Sequence, residues 1–141
     1  MALLPRSKVL IIYTGGTIGM KNAAGRGYHP VPNYLADTLA SMSRFNDDEY
    51  KRAYPQLHEE GGRTWYTMPL SIYNKRVSYT ILEYDPLLDS ANMQAADWSQ
   101  MATDIKAHYT EFDAMIILHG TDTIACSLSI YFLSDEEMTE N

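Results

Sequence analysis

Two segments rich in glycine and threonine carry the side chains best suited to chemistry in this sequence. The first, residues 13–19, reads Tyr-Thr-Gly-Gly-Thr-Ile-Gly and follows the apolar run at residues 9–12. Its glycines permit a sharp turn and a close approach of the backbone to a ligand, while Thr14 and Thr17 add hydroxyls beside free N–H groups. Such a turn suits an oxyanion or a phosphate, with a threonine as candidate nucleophile.

Alone, this segment fits a structural turn at a strand end as well as it fits a phosphate-binding loop. It lacks the lysine of a P-loop, and its spacing differs from that of dinucleotide-binding loops. The second segment, residues 115–123, reads Met-Ile-Ile-Leu-His-Gly-Thr-Asp-Thr. It repeats the apolar strand followed by glycine and threonine and adds a carboxylate, which favours one shared site over two unrelated turns.

The apolar runs that precede both turns predict buried strands. Continuous β-branched and aromatic residues without polar alternation are typical of parallel strands covered on both faces. Ligand sites of such sheets lie at the carboxyl ends of the strands. We therefore expect an α/β fold, a Rossmann- or flavodoxin-like parallel sheet flanked by helices. In this fold Thr17 would face Thr121 and Asp122 across one crevice.

Several further elements are predicted between the two segments. They are a hairpin or flap over 20–29, a helix capped by Asn33 that runs from Tyr34 to Met42, a strand over 77–84 and a helix over 97–109. Ser90 or Asn92 is expected to cap the last of these helices. Residues 47–75, with scattered prolines and glycines, are expected to form an irregular, solvated insertion.

Composition limits the classes of function. With 141 residues and 45% hydrophobic content, one domain with a single core is expected. The net charge of −7 argues against binding of nucleic acid or an anionic membrane surface. No stretch reaches the roughly 18–20 apolar residues of a membrane span. No cluster has metal-ligand spacing, so no metal or cofactor is expected.

The single cysteine is informative about the cellular compartment in which the protein is expected. Cys126 excludes an intrachain disulfide and falls in an apolar helical pattern over residues 122–133, which is typical of a buried thiol. The N-terminus has no signal-peptide pattern. We therefore expect a cytoplasmic protein.

The two segments together resemble the signature segments of the bacterial-type L-asparaginases. Asp-Pro-Leu-Leu-Asp-Ser at 85–90 and the pattern over 97–109 are similar to the cytosolic, type I branch. The resemblance runs from Lys8 to Leu133. It implies a truncated asparaginase N-terminal domain at residues 1–133, followed by a divergent acidic tail at residues 134–141.

The resemblance implies hydrolysis of L-asparagine to aspartate and ammonia without a cofactor. Thr17 would attack the side-chain amide and form an acyl-enzyme, with Tyr28 hydrogen-bonded to it. Thr121 would orient a proton relay or water and help to form the oxyanion site. Asp122 would bind the substrate ammonium.

The substrate-binding loop of the family matches Asp89, Ser90 and Ala91, with Ser90 on the α-carboxylate of the substrate. Ala91 and Asn92 stand where the family usually has polar and acidic residues. The family's relay also uses a lysine on a later strand, which lies beyond Asn141. An inactive 141-residue form is therefore one expectation beside an active asparaginase.

Three other functions remain compatible with these features. One is a non-catalytic subunit that pairs with full-length asparaginase, since the resemblance implies a homo-oligomer with substrate contacts across its interface. Another is a glutamine-directed amidohydrolase, such as the asparaginase-like subunit of a tRNA amidotransferase. The third is a small-molecule or nucleotide-binding module that uses the glycine loop as a phosphate nest.

Overall fold

The structure, a computed structural model, describes residues 5–23, 25 and 27–123. Its strands are β1 (Arg6–Gly15), β2 (Met20–Ala23), β3 (Gly27–Pro30), β4 (Glu59–Glu60), β5 (Arg63–Thr64), β6 (Tyr66–Thr67), β7 (Arg76–Leu88) and β8 (Ala114–Leu118). Its α-helices are α1 (Tyr34–Ser41), α2 (Asp48–Ala53) and α3 (Ala95–His108). Short 3₁₀ turns occur at Thr17–Gly19, Pro55–Leu57, Ser90–Asn92 and Thr121–Thr123.

The main sheet has four strands in the order β6-β7-β1-β8. Strand β1 runs parallel to both β7 and β8, whereas β6 is antiparallel to β7. The α/β class with parallel strands is thus confirmed. Because parallel strands point the same way, the loops that follow β1, β7 and β8 leave the same edge of the sheet.

Strand β1 lies between β7 and β8 in the sheet, and both of its faces are covered. Successive side chains of a strand point to opposite faces, so Leu10 and Ile12 share one face while Ile11 and Tyr13 share the other. All four side chains are buried. Leu10 and Ile12 form the core with Trp65 and Phe112, and partly buried apolar residues surround them: Leu82, Tyr84, Ile105, Met115 and Ile117.

The helices predicted after Asn33 and over 97–109 are present as α1 and α3, but the residues that cap their N-termini differ from the prediction. Helix α1 begins after Asn33, whose side chain makes no capping hydrogen bond. Helix α3 is capped by Gln94, because Gln94 and Asp97 form a reciprocal capping box. The prediction that Ser90 or Asn92 caps this helix is therefore wrong, since both lie in a separate 3₁₀ turn.

The segment over 47–75, expected to be irregular, contains α2 and three short strands. Asp47 caps α2 by accepting a hydrogen bond from the N–H of Tyr50 at 2.9 Å, and Arg76 donates to the same carboxylate at 2.8 Å. Burial raises the pKa of Asp47, but these two donors outweigh it and hold the pKa below its usual value. Trp65 from this segment stacks on Phe112 in the core.

Parts of the earlier expectations lie outside the described residues. These are the helix predicted over 122–133 beyond Thr123, including Cys126, and the tail at residues 134–141. Within the described ranges, no helix is long and apolar enough to cross a membrane. The same ranges contain no group of His, Cys, Asp and Glu that could hold a metal ion.

The packing predicts that replacing two isoleucines by alanine lowers the free energy of unfolding by very different amounts. Ile12 is fully buried at 0% exposure, whereas Ile72 is 91% exposed. We expect Ile12→Ala to lower the free energy of unfolding by about 2–5 kcal/mol through lost burial and a cavity. Ile72→Ala, the matched control, should change it by less than about 0.5 kcal/mol. Denaturant unfolding measures both, and equal losses would contradict the central position of β1.

Candidate active site

The turns after β1 and β8 touch through glycine backbones. A Cβ placed on Gly16 would lie 2.8 Å from the Cα of Gly120 and 2.9 Å from its nitrogen. A side chain at this position would therefore push the two turns apart. Thr17 and Thr121 directly follow these glycines, so the two signature segments meet at one edge of the sheet.

The turn after β7 joins the same edge. Gly15 is paired with Leu88, and a Cβ on Gly15 would overlap the carbonyl oxygen of Leu88. The 3₁₀ turn at Ser90–Asn92 packs against the one at Thr121–Thr123, and the hydroxyl of Thr123 lies 3.6 Å from the sulfur of Met93. The loops that follow β1, β7 and β8 therefore lie against one another at this edge of the sheet.

The backbone of the first turn is available to glycine alone. Gly16 has φ 91° and ψ 176°, a region that other residues essentially never occupy. The N–H of Gly19 closes the turn by donating to the carbonyl of Gly16 at 3.2 Å. Gly19 is buried while Thr17 and Ile18 are exposed, so the turn presents Thr17 to solvent on a buried base.

The two threonines of the first turn have different environments. Thr14 is 1% exposed, and its hydroxyl donates to the carbonyl of Leu118 at 3.3 Å. This contact ties β1 to β8. Thr17 is exposed, so it is the threonine whose hydroxyl can meet a ligand.

The remaining candidate residues lie in the turns after β7 and β8 or on the hairpin after β1. Thr121, Asp122 and Ala91 are exposed in their 3₁₀ turns. Asp89 accepts hydrogen bonds from the N–H of Ala91 and the side-chain amide of Asn92, both at 3.2 Å. Asp89 therefore shapes its own turn, and its carboxylate is already partly occupied.

Tyr28 belongs to the strand that contacts the first turn, since β3 packs against the 3₁₀ turn at Thr17–Gly19. It lies on β3 of the hairpin that β3 forms with β2, and it is 70% exposed. In the described ranges no hydrogen bond joins Tyr28 to Thr17. The hairpin is attached at its base, where the N–H of Val31 donates to the carbonyl of Gly19 at 3.3 Å.

Two polar residues beneath the first turn were not among the sequence candidates. Tyr13 and Glu83 are register partners on β1 and β7. Burial, and secondly the carboxylate of Glu83, raise the pKa of the Tyr13 phenol. Glu83 could have been noticed in the sequence, because it is the only charged residue in the strand-forming run over 77–84. Tyr13 gave none, since tyrosine is common in strands.

Comparison with known proteins identifies the family of this chain. The family model described as "Asparaginase, N-terminal" matches residues 8–134, so the chain belongs to the asparaginase family and covers its N-terminal part. The solved structure of L-asparaginase I from Vibrio cholerae matches with a TM-score of 0.55 and 38% identity. The match covers 87% of this chain and 28% of that one.

Curated relatives include enzymes with two different names. L-asparaginase of Dirofilaria immitis is 45% identical over 124 residues, covering 86% of this chain and 20% of the relative. L-asparaginase 1 of Escherichia coli K12 is 38% identical, covering 89% and 29%. The mouse 60 kDa lysophospholipase is 37% identical, covering 92% and 22%. The chain thus spans less than a third of the length of these relatives.

The contact between glycines predicts the effect of adding one methyl group. We expect Gly16→Ala to lower the free energy of unfolding by about 3 kcal/mol or more, because alanine is strained there and strikes the backbone of Gly120. Gly61→Ala is the matched control. Gly61 also has positive φ, but open space surrounds it, so strain alone should cost about 1–2 kcal/mol. Equal losses in denaturant unfolding would contradict the contact.

The buried phenol predicts a dependence of stability on alkaline pH. Because the pKa of Tyr13 is raised on folding, the stability that it contributes is fully present below its unfolded pKa near 10.0 and is lost as the pH rises through the folded pKa. We expect Tyr13→Phe to make the decline in unfolding free energy shallower between about pH 9 and pH 11.5.

The control for this measurement is Tyr109→Phe. Tyr109 is 60% exposed, so losing its hydroxyl tests the substitution without the burial. The slope against pH is the readout, since Tyr13→Phe also changes the stability at neutral pH. An equal change of slope in both variants would contradict the role of burial.

Proposed function

We propose that this chain supplies the nucleophile side of an active site that hydrolyses L-asparagine to aspartate and ammonia. The observation that carries the proposal is the contact of the two signature turns at Gly16 and Gly120, with Thr17 exposed beside it. The names of the Dirofilaria immitis and Escherichia coli relatives support the choice of asparagine.

The reaction follows from an activated hydroxyl next to a glycine turn. The hydroxyl of Thr17 attacks the side-chain amide carbon, its proton passes to a relay, and ammonia leaves with a proton. Backbone N–H groups of the turn stabilise the developing oxyanion. Water then cleaves the acyl-enzyme ester, which releases aspartate and restores the hydroxyl.

The other candidates complete the site as the family resemblance implies. Thr121 orients the relay or the attacking water, and Asp122 pairs with the substrate ammonium. Asp89, Ser90 and Ala91 form the substrate-binding loop, with Ser90 assigned to the α-carboxylate. This division is supported by the position of the 3₁₀ turns at Ser90–Asn92 and Thr121–Thr123 against each other.

Tyr28 is assigned to the hydroxyl of Thr17. Support for this role is indirect: the hairpin that carries Tyr28 is attached to Gly19, the last residue of the nucleophile turn. We also propose a homo-oligomer and a cytoplasmic location, by likeness to the type I branch. Sedimentation velocity and cell fractionation test these two assignments.

A second candidate is hydrolysis of a lysophospholipid ester. The similarity to the mouse 60 kDa lysophospholipase, over 92% of this chain, favours it. An activated threonine with an oxyanion site can attack an ester as well as an amide. Release of fatty acid from lysophosphatidylcholine, without ammonia release from asparagine, would favour this function over the first.

The test of the main proposal removes the nucleophile alone. We expect Thr17→Ala to lower ammonia release from L-asparagine by about 10³-fold or more, since no other group takes its place. Thr17→Ser keeps the hydroxyl and should retain measurable activity. Because Thr17 is exposed, neither change should alter the unfolding free energy by more than about 0.5 kcal/mol.

The control is Thr110→Ala, which removes an exposed threonine hydroxyl outside the candidate site. Its activity should equal that of the unsubstituted chain. Ammonia release that survives Thr17→Ala would contradict the role of Thr17. A chain that releases no ammonia at all would contradict the proposed activity for these 141 residues.

A further inference from the structure

A half-buried carboxylate on β7, that of Glu83, has no part in the chemistry proposed above. Glu83 lies on β7, and its Oε2 atom is buried without a hydrogen-bond partner in the described part of the chain. The hydroxyl of Tyr13, its register partner on β1, is in the same condition. Buried polar groups are nearly always paired, and an unpaired one reduces stability. What Glu83 contributes therefore depends on its other oxygen, Oε1.

The other oxygen of Glu83 holds the chain where the hairpin ends. Oε1 accepts a hydrogen bond of 2.7 Å from the backbone N–H of Asn33. Asn33 has a left-handed backbone with φ 62°, a conformation that asparagine tolerates better than most residues. The carboxylate thus fixes an N–H group at the sharp bend between β3 and α1.

This bend is connected to the nucleophile turn by one further hydrogen bond. Val31, two residues before Asn33, donates its N–H to the carbonyl of Gly19 at 3.3 Å. Gly19 in turn closes the turn that carries Thr17 by donating to Gly16. A continuous backbone path therefore leads from Glu83 to the candidate nucleophile.

Tyr13 completes the path from the other side. A Cβ on Gly19 would overlap the hydroxyl of Tyr13, so this side chain lies directly against the turn. Gly19 is consequently held between the Tyr13 side chain and the hydrogen bond from Val31. Tyr13 and Glu83 are register partners on adjacent strands, so Gly19 is approached from β1 as well as from the bend after β3.

We infer that Glu83 is a positioning residue, which fixes the turn of the candidate nucleophile through its hydrogen bond to Asn33. It does not touch the reacting atoms. The inference rests on the proposed function only for the role of Thr17, whereas the path of contacts is independent of it. Small displacements of a nucleophile lower the rate strongly, so loosening this path should reduce kcat more than it changes KM.

The experiment compares Glu83→Ala, which removes the acceptor, with Glu83→Gln, which keeps an oxygen that can accept from Asn33. Hydrogen exchange of the Val31 and Asn33 amides is measured on the 141-residue chain, together with kcat and KM for L-asparagine. We expect Glu83→Ala to speed exchange at both amides about tenfold, as loss of a hydrogen bond to a charged group predicts. It should also lower kcat about tenfold or more, with KM within about twofold.

The controls separate local from general effects. Glu83→Gln should restore both protection and kcat to within about threefold of the unsubstituted chain. Glu59→Ala removes an exposed carboxylate on β4 and should leave exchange at Val31 and Asn33 unchanged. Exchange of the Ile12 amide in the central strand should also remain unchanged in Glu83→Ala, because the path is local.

The outcomes distinguish this inference from the proposed function. Unchanged exchange at Val31 and Asn33 in Glu83→Ala would overturn the inference, whatever the activity. Faster exchange of the core amides as well would assign Glu83 a merely structural role and also overturn it. Faster local exchange, reversed by Glu83→Gln, supports the inference even if the unsubstituted chain releases no ammonia; in that case the proposed function alone fails.

Discussion

The site depends on the contact between the backbones of Gly16 and Gly120. Parallel pairing of β1 with β8 brings the two strand ends side by side, and the absence of a side chain at Gly16 lets the following turns meet. The hydrogen bond from Thr14 to Leu118 holds the same two strands together just before the turns. Thr17 and Thr121 directly follow these two glycines. The two turns can approach each other because Gly16 has no Cβ to separate them.

Much of this arrangement could be predicted from the pattern of residues. The apolar runs before both turns identified two parallel strands. The burial expected for both strands holds for β1 but is wrong for β8, where Ile116 is 48% exposed. The rule that ligands bind at the carboxyl ends of such strands then placed both glycine turns on one edge. The hairpin after the first turn and helix α1 were also predicted from local signals.

What could not be predicted depends on partners distant in sequence. The segment over 47–75 reads as irregular locally, yet Trp65 stacks on Phe112 and Asp47 binds Arg76. These contacts create order that no local pattern contains. The burial of Thr14 is a further example, because only the folded chain shows that Thr14 is buried against β8 while Thr17 is exposed.

The pairing of β1 has a consequence for how the protein is made. Arg6 pairs with Arg76 and Val9 with Ala114, so the central strand is synthesised long before either neighbour. Contacts so distant along the chain form slowly, since a long loop must close before they contribute. Until β7 emerges from the ribosome, β1 is an apolar strand with two unpaired edges, and one of these edges stays unpaired until β8 follows. A chaperone that covers residues 9–13 during this interval would protect the newborn polypeptide from aggregation.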